Sequence, residues 1–265
     1  MNRDQWQHVI DQDHQLPHGI SLQEATRELL GFLSSTDPFL RDTVGYFTLS
    51  AWIERELYSP AELSNMLTWA GENLRLGLGT SGHDSVFLRS FSALILSEVV
   101  ALDARKPFLN EAERNAAFEK TLHYLSEECD LRGYLPEKGW AHAVAHGADA
   151  LMAFADHPLT LPEQLEQILE TVLDLAAMDQ VYLYNEEKRL ARAAFSAITR
   201  MDDFVVEHRM GAQLSLVPEQ WFMSPEWAAS RLNLRGFFSA LLLIGTENHQ
   251  EQVQAWAREG LLLLA

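Results

Sequence analysis

The chain has 265 residues, 47% hydrophobic and 22% charged, with 9 Pro and 14 Gly, which is the composition of a folded globular protein and excludes disorder and low-complexity structure. Twenty basic against 38 acidic residues leave a net charge of −18, a field that repels phosphate backbones and anionic headgroups, so neither nucleic acid nor a membrane is the expected partner. The single cysteine, Cys129, forbids an internal disulfide, and residues 1–8 lack the apolar core of a secretory signal, so the expected location is cytoplasmic.

Helix starts are marked by a capping residue followed three positions later by Glu, which satisfies two orphan amide donors reciprocally. In chain order, Ser21 with Glu24, Ser59 with Glu62, Asn110 with Glu113 and Thr160 with Glu163 open four long helices. Between them, apolar residues recur at three and four over Pro38 to Glu56, Ser85 to Asp103, Trp140 to Asp156 and Glu187 to Asp203, predicting further helices. Val181-Tyr182-Leu183-Tyr184 is the only β-like run and reads as a connector. The apolar stretches Phe237 to Gly245 and Leu261 to Ala265 fall short of the roughly 20 residues a membrane span requires, and the second caps the end of the fold. The expected fold class is all-α.

Several of these helices resemble one another. Leu40-Arg41-Asp42, Leu88-Arg89-Ser90-Phe91 and Leu234-Arg235-Gly236-Phe237 open similar segments, and Asp37-Pro38-Phe39-Leu40-Arg41 resembles the start of a HEAT-repeat inner helix, where Asp and Arg form a ladder between units. Aligning Arg41, Arg89, His142, Arg192 and Arg235 gives spacings of 48, 53, 50 and 43, near the roughly 40 to 47 of such helical pairs. The expectation is an α-α superhelix of about five helical pairs, HEAT- or armadillo-like, forming one domain over residues 1–265 with a concave face.

The candidate site lies in Asp130-Leu131-Arg132-Gly133-Tyr134-Leu135-Pro136-Glu137-Lys138-Gly139-Trp140-Ala141-His142-Ala143-Val144-Ala145-His146-Gly147-Ala148-Asp149. Gly133, Pro136 and Gly139 mark a tight loop. His142, His146 and Asp149 stand at i, i+4 and i+7, one face of a helix, where two imidazoles and a carboxylate suit zinc or another divalent metal. The same groups equally suit a polar network that locks neighbouring helices, and Ala143 stands where helix-borne zinc hydrolases carry their catalytic Glu. Asp130 with Arg132 suits an internal ion pair or an anion clamp, and Asp84 suits a cap for the Arg89 helix. Trp140, Trp52, Trp69 and Trp256 read as core anchors. Ser90 and Ser92 lack a nucleophile elbow, and Gly77 to Gly82 lacks the Lys-Ser/Thr ending of a phosphate loop.

Taken together, Ser85 to Leu94, the Asp130 to Asp149 block and Glu187-Lys188-Arg189-Leu190-Ala191 closely resemble the bacterial family called domain of unknown function 2785. That resemblance implies a bacterial helical-repeat protein whose signature residues are Arg89, Ser90, Asp130, Arg132, Gly139, Trp140, His142, His146 and Asp149, and it carries no activity with it. Gly236 and the following Phe-Phe-Ser-Ala run depart from the family pattern.

Two functional expectations follow. The first is a binding protein that holds a small ligand or a peptide or protein segment on its concave face through Arg89, Ser90, Asp130, Arg132, Trp140, His142, His146 and Asp149. The alternative is a metal-dependent hydrolase with His142, His146 and Asp149 as ligands. Neither ligand identity, enzymatic activity nor oligomeric state is written in the residues, and a divalent metal is the one cofactor they suggest.

Overall fold

The computed structural model describes residues 1–216 and 224–265, and within them twelve α-helices and a single two-stranded hairpin make the protein all-α. These residues group into two compact units, Met1–His146 and Gly147–Ala265.

The first unit contains α1 (Arg3–Asp11), α2 (Leu22–Phe32), a π-helical stretch (Phe39–Tyr46) that continues into α3 (Phe47–Glu54), α4 (Pro60–Asn73), α5 (Ser85–Arg105) and α6 (Glu111–Glu127). The hairpin that follows pairs β1 (Tyr134–Leu135) with β2 (Gly139–Trp140), Tyr134 opposite Trp140 and Leu135 opposite Gly139. Helix α7 (Ala143–Asp156) begins in this unit and ends in the next. The second unit holds α8 (Pro162–Ala176), α9 (Glu186–Ile198), α10 (Asp203–Ser215), α11 (Pro225–Glu247) and α12 (Glu251–Leu263).

Local chemistry accounts for the helix boundaries. Ser21, Ser59 and Asn110 each close the reciprocal capping box expected of them, and Asn2 closes another with Gln5 in the place of Glu. Thr160 does not cap α8: its hydroxyl donates to the Phe154 carbonyl, so the helix starts one residue later, with Gln164 accepting from the Leu161 amide at 3.0 Å. Helix α9 likewise ends at Ile198, and Asp202 caps the separate helix α10.

Helix α5 is the centre of the first unit. Its 21 residues are long and apolar enough to cross a membrane by length and composition, yet 78% of its apolar window is buried inside the protein, against α4 and α3 among others. Phe87, Ile95, Leu96, Val99 and Val100 are fully enclosed, each contributing about 1.5–3 kcal/mol of transfer free energy. In the second unit α8 shows the ordinary amphipathic pattern, with Leu165, Ile168, Leu169, Val172 and Leu173 buried toward α9. Helix α9 packs on α11, and α11 on α12.

Candidate functional site

The segment from Glu128 to His146 is held by a chain of buried ion pairs that begins on α5. Arg89 is fully enclosed and grips the equally enclosed Glu128 through two parallel bonds, Nε to Oε2 at 2.8 Å and Nη2 to Oε1 at 2.9 Å. Its remaining nitrogen, Nη1, donates to the Leu76 and Gly77 carbonyls and to Ser85 Oγ at 2.9 to 3.0 Å. A guanidinium bound on three sides by protein is a strut, and its rigid planar fork is the reason Lys would not replace it.

Two residues further on, Asp130 repeats the device. It is fully buried and accepts from Arg132 Nε at 2.7 Å, from Arg132 Nη2 at 2.6 Å and from the Gly82 amide at 3.0 Å, while its own amide donates to Glu128 Oε1 at 2.9 Å. The hydrogen bond that Arg132 donates to the Asp130 carboxylate raises the Arg132 pKa, and Arg132 Nη2 also donates to the His83 carbonyl at 3.0 Å. Asp84 does not cap α5: its carboxylate pairs with Lys138 Nζ at 2.7 and 2.8 Å. The 77–84 loop and the 128–138 segment are thereby fastened together at Gly82, His83 and Asp84.

Arg41 holds the hairpin from the opposite side. Its guanidinium lies 4.1 Å above the Phe87 ring and 4.9 Å from Phe91, donates to the Lys138 carbonyl at 2.7 Å and to Ser35 O at 2.8 Å, and pairs with Asp42 at 2.8 Å. Burial lowers the Arg41 pKa and, outweighing that same arginine, pushes the Asp42 carboxyl up to about 6. Asp37, which opens the HEAT-like segment, pairs with Arg3 and accepts from the Phe39 amide. Gly139, against Arg41, is obligatory: its φ is +74°, and a Cβ would sit 2.7 Å from Pro38 Cβ and 3.1 Å from Arg41 Nη2.

After the hairpin, Trp140 and His142 part company with the helix predicted over them. Trp140 is in β2, and His142 has φ +48° and stands just before α7, accepting its first backbone bond from the His146 amide at 2.9 Å. The expected helical face of His142, His146 and Asp149 is therefore broken at its first member. The His142 ring stacks on Trp140 with centroids 4.2 Å apart and 28° between planes, and Tyr134 meets Trp140 edge-on at 4.9 Å. Trp140 is 38% exposed and Tyr134 46%, which corrects the expectation that Trp140 is a core anchor.

Ser90 is fully buried and bonds both the Ala141 carbonyl and His146 Nδ1, the latter at 2.7 Å. A hydroxyl has one hydrogen, and with the Ala141 carbonyl able only to accept, Nδ1 carries a proton and donates to Ser90 Oγ. That polarity is the reverse of a serine nucleophile with its base. Phe91 meets the His146 ring edge-on at 5.1 Å, and the two histidine rings stand perpendicular at 5.7 Å. In the second unit Asp149 pairs with Arg189. Among the described residues no three His, Cys, Asp or Glu side chains are grouped as metal ligands, so nothing in the geometry favours the metal-dependent hydrolase.

The sequence-derived set thus divides. Arg89, Ser90, Asp130, Arg132 and His146 position the hairpin, and Trp140 with Tyr134 forms its outer surface, the half-buried His142 ring stacked on Trp140. Glu128, Lys138, Arg41 and Tyr134 are the members that sequence reasoning missed; Glu128 lies 39 residues from its partner, a separation without local signature, whereas Tyr134 and Trp140 flanking Pro136 and Gly139 carry the signal of a hairpin with cross-strand aromatics.

The class these features define is an all-α protein with an aromatic hairpin clamped by buried ion pairs. Residues 74–243 match the family model described as Protein of unknown function (DUF2785), and the chain belongs to that family. No curated protein and no solved structure shows significant similarity to it.

Proposed function

We propose that this is a HEAT-like helical-repeat binding protein of the bacterial cytoplasm, and that the Tyr134, Trp140 and His142 surface is where it holds a peptide segment. The observation that carries the proposal is the contrast at the hairpin: Arg89, Glu128, Asp130 and Arg132 are engaged within the protein, while two large aromatics one strand apart are presented to solvent. Exposed aromatic pairs on a rigid support supply contact area at low entropic cost, which is how peptide-recognition surfaces are built. The net charge of −18 and the exposed portions of the Tyr134 and Trp140 rings favour a cationic segment, through long-range attraction and cation–π contact. The spacing of related segments and the packing of α4 with α5, α8 with α9 and α11 with α12 support successive helical pairs in one domain.

The test is fluorescence anisotropy of labelled short peptides, Arg/Lys-containing against composition-matched Glu-containing and neutral ones. Cationic peptides are expected to bind, and Trp140→Ala to weaken them by about 30-fold, the size of an interface hot spot, with unchanged melting. Retention of full affinity in Trp140→Ala and Tyr134→Ala, or absence of binding by every peptide class, refutes the proposal.

A further inference from the structure

A second site stands apart from the hairpin. Helices α2 and α4 enclose a groove of about 630 Å³, within the range of small-molecule sites. Its lining includes Leu30, Met66, Tyr58 and Trp69, with Arg27 as the sole cation. Trp69 is half-buried there, unlike the enclosed Trp52 and Trp256, so the core-anchor expectation does not extend to it.

The polar groups of this wall are unequally engaged. Tyr58 and Thr26 bond each other at 3.0 Å, and burial raises the Tyr58 pKa, which keeps the phenol neutral. Glu62 is drawn to the start of its own helix, accepting from the Ser59 amide at 2.9 Å and the Ser59 hydroxyl at 2.7 Å. Arg27, exposed at the edge of the groove, makes no ion pair or hydrogen bond within the described residues and acts on Glu24 one turn away only through its charge, and the Trp69 indole N–H makes no hydrogen bond among them. Two donors, one of them a cation, are left beside an apolar floor.

Gly31 supplies the independent observation. It lies within α2 at the groove wall, its backbone is not left-handed, and nothing stands within 4 Å of the position its Cβ would take. A helical glycine is destabilising relative to alanine, and here neither packing nor backbone geometry requires it. Gly31 is exposed, and a side chain there would extend over the open side of the groove wall.

We propose that this groove binds a small monocarboxylate with an apolar body, the carboxylate meeting Arg27 and the body lying against Leu30, Met66 and Trp69. The proposal is independent of the peptide surface at Trp140. Its test is saturation-transfer NMR and calorimetric titration of the full chain with octanoate and indole-3-acetate, using octylamine and tryptamine as charge-reversed controls. Saturable binding of the acids below about 1 mM is expected, as for fragments of this size, with at least tenfold weaker binding of the amines. Arg27→Gln should weaken the acids at least tenfold, and Gly31→Leu should abolish binding while the melting temperature holds or rises, because leucine favours the helix and fills the groove. Trp140→Ala should bind the acids as the parent does, which separates this site from the hairpin. Failure of both acids to bind, equal binding of the amines, or undiminished binding in Arg27→Gln and Gly31→Leu overturns the proposal.

Discussion

Removing Glu128 tests whether the ion-pair chain carries the site. In Glu128→Leu the Arg89 guanidinium keeps its three bonds from Nη1 but loses both bonds from Nε and Nη2, and the Asp130 amide loses its acceptor. Stranding one member of a fully enclosed pair costs about 3–5 kcal/mol, a large share of a domain's stability. Arg89→Met strands the carboxylate and leaves the Leu76 carbonyl without its donor, at about 1–3 kcal/mol for a buried group left unmade, while the Gly77 carbonyl keeps the Thr80 hydroxyl. The double variant Arg89→Met/Glu128→Leu removes both charges at once, so it should be no less stable than Arg89→Met, with a coupling energy of at least about 2 kcal/mol. Urea unfolding of the parent, both single variants and the double variant, with slopes compared to confirm a common transition, measures that coupling. Additive single effects, with coupling below about 0.5 kcal/mol, would refute the idea that the pair acts as one unit.

Other outcomes follow from the same geometry. The Asp42 carboxyl, at about 6 when folded against an ordinary value of 3.8, holds its proton more tightly in the folded chain, so its contribution to stability is present at low pH and is lost as pH rises from about 4 to 6. In Asp42→Asn that loss disappears, and unfolding at pH 4 and 7 should show the variant gaining roughly 2–3 kcal/mol on the parent across the interval; parallel profiles would contradict the assignment. Gly139→Ala forces φ +74° on an L side chain and drives a methyl into Pro38, so a loss of at least about 1–2 kcal/mol in thermal unfolding is expected. Nitrogen-15 NMR of the neutral His146 ring should report the proton on Nδ1, and Ser90→Ala should cost about 1–3 kcal/mol by leaving that N–H unmet; a proton on Nε2 instead would overturn the Ser90 bonding scheme.

What was legible in the sequence was local. Ser21, Ser59 and Asn110 announce helix starts because the partner that completes each cap lies three residues away. Thr160 carries the same pattern and fails, since the Phe154 carbonyl six residues earlier competes for its hydroxyl. The Asp130 to Arg132 pair was readable for the same reason of proximity, whereas Arg89 with Glu128, and Arg41 with the Lys138 carbonyl 97 residues away, depend on the fold. Helical periodicity placed His142 on a face with His146, but Gly139 and the left-handed turn at His142 delay the helix until Ala143. The α2–α4 groove leaves no motif, because its residues are ordinary helix formers whose spacing looks the same whether a neighbour covers them or not.

A chain synthesised from its amino terminus completes α5 some two dozen residues before Glu128 exists, an interval of about 1–5 s at ordinary translation rates. Throughout that interval a helix of membrane-span length and hydropathy waits without its partner. Arg89, later the strut of the hairpin, is then a hydrated charge near the start of the segment, and Glu98, Asp103 and Arg105 follow it along the same helix. A charged side chain at the centre of an inserting helix costs about 2.5–3.5 kcal/mol, a penalty that falls mainly on Glu98, the charge nearest the middle of α5. That glutamate, more than the arginine that fastens the finished site, weighs against capture of the nascent segment by a bilayer.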